Sequence, residues 1–251
     1  VAEFNDLAEQ ASGSVILRYG ETAVLATAVL SEKTRDDIDY FPLTVDYEER
    51  FYAAGQILGS QFVRREGRPS EDAILSGRVV DRTIRPLFPS HIRNEIQVII
   101  TVLALGEEDP SPIAVNAASL ALATSNIPWG GPVAAVRIAV VGEPPATLSA
   151  SDRSAHAPQP SVADGFVINP TYKQRELSTL DILACGKDGT INMIEVAAGE
   201  ASEAAVASGF EAAVAEHAKI LDFQNKIIAE IGKQKREMPE PTLPEALLTL
   251  Y

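Results

Sequence analysis

The chain is short of cysteine, histidine and basic residues, and each shortage removes a class of explanation. Cys185 is the only cysteine in 251 residues, so no intramolecular disulfide can form. The three histidines, His91, His156 and His217, are dispersed, and no Cys/His spacing suggests zinc. Glycine-rich phosphate loops of the Walker or Rossmann type are missing. No apolar run approaches the roughly 20 residues that span a bilayer, so no membrane association is expected. The opening Val1-Ala2-Glu3-Phe4-Asn5 is acidic and lacks the signal-peptide pattern. The lone cysteine fits a reducing compartment, the cytoplasm or an organelle. Lys and Arg number 21 against 35 Asp and Glu, a formal charge of −14. The global field therefore repels nucleic acid, and any such partner needs a local basic patch.

What is present is ample for a core, with 46% hydrophobic residues. Ser14 to Tyr19 and Thr22 to Leu30 are β-rich runs around Gly20-Glu21, which predicts a hairpin. Phe41 to Tyr47 reads as a third strand with Pro42 near its start. Ser70 is an N-cap followed by Glu71 and Asp72, and the helix should run to about Arg85, because Pro86 and Pro89 stop it. Ile96 to Leu105 is an apolar strand. Ser111 to Ser125 is a buried, Ala-rich helix with Pro112 in its first turn. Pro132 to Val141 is another strand.

Residues 142–165 are rich in Pro, Ala and Ser without periodicity and read as an exposed, mobile loop. Strands resume at Phe166 to Ile168, Leu180 to Cys185 and Ile191 to Val196, the last two joined by the turn Lys187-Asp188-Gly189. Ser202 caps a long final helix. Val206, Phe210, Ala213, His217, Ile220, Gln224, Ile227 and Ile231 form its mainly apolar stripe. Gly209 weakens its interior, and Gly232 suits its C-terminal end. This order of elements predicts an α+β fold, a mixed sheet packed with helices in two layers.

Arg64, Arg65, Arg68, Arg78, Arg82 and Arg85 gather in one loop and one helix of an otherwise acidic chain. On that helix Arg78, Arg82 and Arg85 share a face, while Ala73, Val80 and Ile84 lie on another. Guanidinium groups bind phosphate oxygens through planar, charge-assisted forks. Phe62 beside Arg64 and Arg65 can stack on an unpaired base. The alternative is a solvated face on which the helical arginines pair with Glu71, Asp72 and Asp81. Elsewhere, Cys185 reads as a core residue of an apolar strand, and Ser119 as part of an ordinary helix.

A longer series adds a resemblance. Phe41-Pro42-Leu43-Thr44-Val45-Asp46-Tyr47, Tyr52-Ala53-Ala54-Gly55 and Arg64-Arg65-Glu66-Gly67-Arg68-Pro69-Ser70-Glu71 are followed by Ile84-Arg85-Pro86-Leu87-Phe88-Pro89 and Asn94-Glu95-Ile96-Gln97-Val98-Ile99. Val136-Arg137 and Val167-Ile168-Asn169-Pro170-Thr171 continue it in order. The series resembles the first ribonuclease-PH-type core of the polynucleotide phosphorylase family. The resemblance implies a ribonuclease PH-like (ribosomal protein S5 domain 2-like) fold over residues 1–236, with 142–165 as an insertion. Residues 237–251 would begin the family's all-helical linker domain. Two departures stand out: Val63 replaces a second phenylalanine before the paired arginines, and the 142–165 insertion replaces a short connection.

The resemblance further implies part of a phosphate-dependent 3′→5′ exoribonuclease that assembles as a homotrimer through paired cores. Its partners would be single-stranded RNA, inorganic phosphate and the proteins of an RNA-degradation complex. RNA or phosphate contact falls to Phe62, Arg64, Arg65, Arg68, Arg82 and Arg85. In the family, a metal-associated Asp, Asp and Lys set in the second core carries the chemistry, with Mg²⁺ as cofactor. Here Asp181 stands at one Asp position, the other falls near Arg175, and Leu183 holds the Lys position. No catalytic residue and no metal site is therefore expected in this core, and Asp181 reads as structural. The rival reading is a non-catalytic RNA-binding ring subunit of an exosome-like complex.

Overall fold

The computed structural model describes residues 1–35, 37–57, 69–141, 162–163 and 165–238. Strand β1 (Ala2–Glu3) pairs with β2 (Gly13–Tyr19), and β2 forms the expected hairpin with β3 (Thr22–Thr34). β4 (Leu43–Glu48) starts just after Pro42. It pairs in parallel with β5 (Asn94–Ala104), which makes the first sheet mixed, in the order β1-β2-β3-β5-β4. Helix α1 (Glu71–Ile84) connects them, and the Ser70 hydroxyl accepts its cap bond from the Ala73 N–H at 3.1 Å. Helix α2 (Pro110–Thr124) follows. It starts one residue before the expected Ser111, with Asp109 as its cap and Pro110 at the first helical position.

The second sheet is antiparallel. It contains β6 (Ala134–Val141), β7 (Val162–Ala163), β8 (Phe166–Ile168), β9 (Ser178–Lys187) and β10 (Thr190–Ala198), in the order β10-β9-β6-β8-β7. The loop expected at 142–165 lies mostly outside the described residues; of it, 162–163 form the edge strand β7. Asp188 and Gly189 both have positive φ, 51° and 75°, the two-residue turn that matches strand twist. A short helix α3 (Tyr172–Glu176), invisible to periodicity at five residues, is fixed by a capping box between Thr171 and Gln174. Helix α4 (Glu203–Ile231) carries the Ser202 cap. It ends at Gly232 in extended rather than left-handed conformation.

Alternation along β6 and β9 shows how the layers stack. Ala135, Leu183 and Cys185 join the core formed by the first sheet, α1 and α2, whereas Val136, Ile138, Ile182 and Ala184 face α4. The order is first sheet, α1 with α2, second sheet, α4, so the two-layer expectation is corrected to four layers. Two sheets with a helical filling explain why α2 is buried nearly all round. Gly209 has a packing reason: a Cβ there would sit 2.6 Å from the Ile182 Cδ1.

Candidate functional site

Helix α1 buries Ala73, Gly77, Val79, Val80, Thr83 and Ile84 and turns its arginines outward. Arg78 and Arg82 are exposed, one turn apart, with no acidic partner among the described residues. Arg85 differs. Its Nη2 and Nε donate to the two Asp81 oxygens at 2.6 and 3.0 Å. Its Nη groups also reach the Phe41 and Leu43 carbonyls at 3.4 and 3.1 Å, and its guanidinium lies 5.9 Å from the Phe41 ring centroid. Arg85 thus ties α1 to the strand β4, and the ion pairing expected for this helix is made by Arg85 rather than Arg78. Phe62, Arg64, Arg65 and Arg68 lie outside the described residues. Their segment ends at Pro69, directly before the Ser70 cap that starts the Arg78–Arg82 face.

The second assembly of charge is built where α2 begins. Asp109 caps α2 through Oδ1, which accepts from the Ser111 N–H at 2.9 Å. Its Oδ2 lies 2.7 Å from Arg137 Nε on β6 and 3.1 Å from Arg175 Nη1 on α3. The Arg137 Nε–H does not aim at that oxygen, so that contact is ionic rather than a hydrogen bond. Asp181 on β9 closes the ring, with Oδ1 2.9 Å from Arg137 Nη1 and Oδ2 2.7 Å from Arg175 Nε. Two acids and two arginines alternate, three of the side chains at most 10% exposed, and the ring is neutral. Geometry supports the structural reading of Asp181.

The ring forms one wall of a cavity of about 610 Å³. Its lining holds six carboxylates, Glu49, Asp72, Asp109, Glu176, Asp181 and Glu195, against two guanidiniums. Such a cavity is acidic, which disfavours a phosphate or an RNA backbone. Burial pushes the Tyr172 hydroxyl up to about 12, reinforced by the charges of Asp109 and Glu49. Burial draws the Arg175 pKa down, but the hydrogen bond to Asp181 and the charges of Asp109 and Asp181 outweigh it, and the net direction is up. Mg²⁺ needs several oxygens held at about 2.1 Å. Both ring carboxylates are already occupied by guanidiniums, and among the described residues no three His, Cys, Asp or Glu converge to hold a metal. The residues do not fit the ion.

The remaining candidates fall into the core. Ser119 is fully buried; its hydroxyl donates to Gln224 Oε1 at 2.6 Å and accepts from the Val133 N–H at 2.9 Å. Cys185 is buried, which pushes its thiol up to about 12 and leaves it inert. His217 sits 3.0 Å from the Ala184 carbonyl, and burial lowers its pKa. Asp109 and Arg137 were missed as ring members by sequence reasoning. A signal existed: Arg137 stands between Val136 and Ile138 in an apolar strand, and a charge there needs a partner.

Residues 1–128 match the model of the 3′ exoribonuclease family, domain 1. The chain is 43% identical to a polyribonucleotide nucleotidyltransferase of Pseudothermotoga lettingae and 44% identical to that of Thermus thermophilus, in each case over 98% of its length. It covers only 32% and 31% of those proteins, so it spans about a third of the relatives it matches. Among solved structures, rice Rrp46 superposes with a TM-score of 0.67 at 17% identity, covering 91% of this chain and 93% of the other. An Archaeoglobus fulgidus exosome with RNA bound to the active site gives 0.62 at 18%, covering 90% and 88%. These two likenesses establish the fold, in agreement with the α+β expectation. The chain belongs to the 3′ exoribonuclease family, has the ribonuclease PH-like fold, and has polyribonucleotide nucleotidyltransferases as its sequence relatives.

Proposed function

We propose that this chain is the first, RNA-guiding core of a phosphate-dependent 3′→5′ exoribonuclease. In that enzyme phosphate attacks the terminal phosphodiester of single-stranded RNA and releases a nucleoside diphosphate; the reverse reaction adds a nucleotide. The observation that carries the proposal is the contrast in arginine partners. Arg137 and Arg175 are neutralised inside an acidic cavity, whereas Arg78 and Arg82 face solvent with no acidic partner among the described residues.

In this reading Arg64, Arg65, Arg68 and Arg82 contact phosphates, and Phe62 stacks on a base. Arg85 holds the helix that presents them. Mg²⁺ and the phosphorolytic chemistry belong to a second core, paired with this one in a homotrimeric, cytoplasmic assembly that works with other RNA-degrading proteins. Residues 237–251 open the helical domain between the cores.

The test is release of nucleoside diphosphates from single-stranded RNA by this chain with phosphate and Mg²⁺. No release is expected. Robust release, abolished by Asp181→Asn, would overturn the non-catalytic assignment.

A further inference from the structure

Helix α2 is buried almost throughout, so the carbonyls at its C-terminal end need donors from the protein rather than from water. The segment that follows α4 supplies them. Lys235 Nζ donates to the carbonyls of Leu122, Ala123 and Ser125 at 2.7, 2.9 and 2.8 Å. The Lys233 N–H donates to the Thr124 carbonyl at 3.1 Å, and the Arg236 N–H to that of Asn126 at 2.8 Å. Five consecutive carbonyls, 122 to 126, thus receive bonds from residues 233–236. An ammonium group at a helix C-terminus also meets the negative end of the helix dipole. Asp109 serves the opposite end, so both ends of α2 carry the complementary charge.

Two further contacts extend the attachment. Lys233 Nζ donates to the Ser12 carbonyl at 3.2 Å, before β2, and Met238 packs on the main core. Apart from Lys235 and Met238 the segment is exposed, so its attachment rests on a few groups. Gly232 lets the chain leave α4 sharply, since a Cβ there would meet the Ile228 carbonyl oxygen.

We infer that residues 232–238 form a strap locked onto the C-terminal end of α2 by Lys235, and that this lock sets the direction in which the chain leaves the core. Lys235 is a positioning residue. It pins the strap through three carbonyls that no other side-chain amine among the described residues reaches. When it releases, the strap opens without unfolding the sheets, because none of its bonds belongs to a strand ladder.

Hydrogen exchange of the full chain tests this at two amides, Lys233 and Arg236, whose N–H groups bond Thr124 and Asn126. Lys235→Met keeps the aliphatic stem and removes the donors. It should speed exchange at both amides at least tenfold, and in the wild type both amides should already exchange faster than those of β5 and β9. Lys235→Arg should restore most of the protection. Equal protection of both amides in Lys235→Met would overturn the inference. Should Lys235→Met not fold, the wild-type chain decides through exchange in low denaturant. The strap amides should then open locally, with rates insensitive to denaturant. Exchange of these amides only with global unfolding would overturn it.

Discussion

The arginines of the ring and those of α1 are chemically identical and do opposite work. Arg137 and Arg175 each meet two carboxylates inside the protein, and their charge is spent on holding α2, α3 and the second sheet together. Arg78 and Arg82 meet no acid among the described residues, so their charge remains available to a ligand. In a chain of −14, a basic ligand-binding face must be made by withholding carboxylates as much as by placing arginines. Arg85 stands between the cases: it caps the C-terminal end of α1, yet Asp81 and two carbonyls consume it.

The comparison breaks first at Arg137. Removing one partner of a buried ion pair strands the others, at a cost of about 3–5 kcal/mol. Arg137→Met should lower the stability of the chain by that order in denaturant unfolding. Combining it with Asp181→Leu should cost less than the sum of the two single changes, because the partners are coupled. Additive losses would mean that the ring contributes no more than its separate side chains. At α1 the stability effects are smaller. Ser70→Ala should cost about 1 kcal/mol through loss of the cap bond to Ala73. Arg78→Ala and Arg82→Ala should leave the melting temperature nearly unchanged, since neither side chain has a described ion pair to lose. A large drop for either would place it with the ring arginines.

A pH-dependent effect concerns Lys235. Burial pushes its ammonium down to about 8, against about 10.4 when unfolded. Between these values the unfolded chain binds the proton that the folded strap releases, so this group's contribution to stability rises with pH. Comparing wild type with Lys235→Met in thermal unfolding, the difference should move in the wild type's favour from pH 7.5 to 10. A constant difference would show that the lysine titrates as it does in water.

Local physics was legible in the sequence. The caps at Ser70 and Ser202, the turn at Asp188-Gly189 and the buried α2 all follow from short-range chemistry, and the structure bears them out. Ring membership was not legible, because Asp109, Arg137 and Asp181 meet only after α2, β6 and β9 have packed. Nor was the layering. Period-two alternation shows that β6 and β9 have two apolar faces, but not that one faces α2 and the other α4. The strap was not legible for a related reason: the acceptors of Lys233, Lys235 and Arg236 at the end of α2 lie more than 100 residues away. The arginine segment itself, with Phe62, Arg64, Arg65 and Arg68, lies outside the described residues, and its role rests on residue chemistry and the resemblance.

The most direct measurement is the affinity of the full-length enzyme for a short unstructured RNA at several salt concentrations. It compares wild type with Arg64→Ala/Arg65→Ala and with Arg78→Ala/Arg82→Ala. Each lost phosphate contact should reduce the salt slope by roughly 0.7 for a single strand. Both double variants should therefore bind more weakly with flatter slopes, while Phe62→Ala weakens binding at nearly constant slope, as stacking releases few ions. Wild-type affinity and slope in both double variants would contradict the account, leaving the arginine face as architecture like the ring.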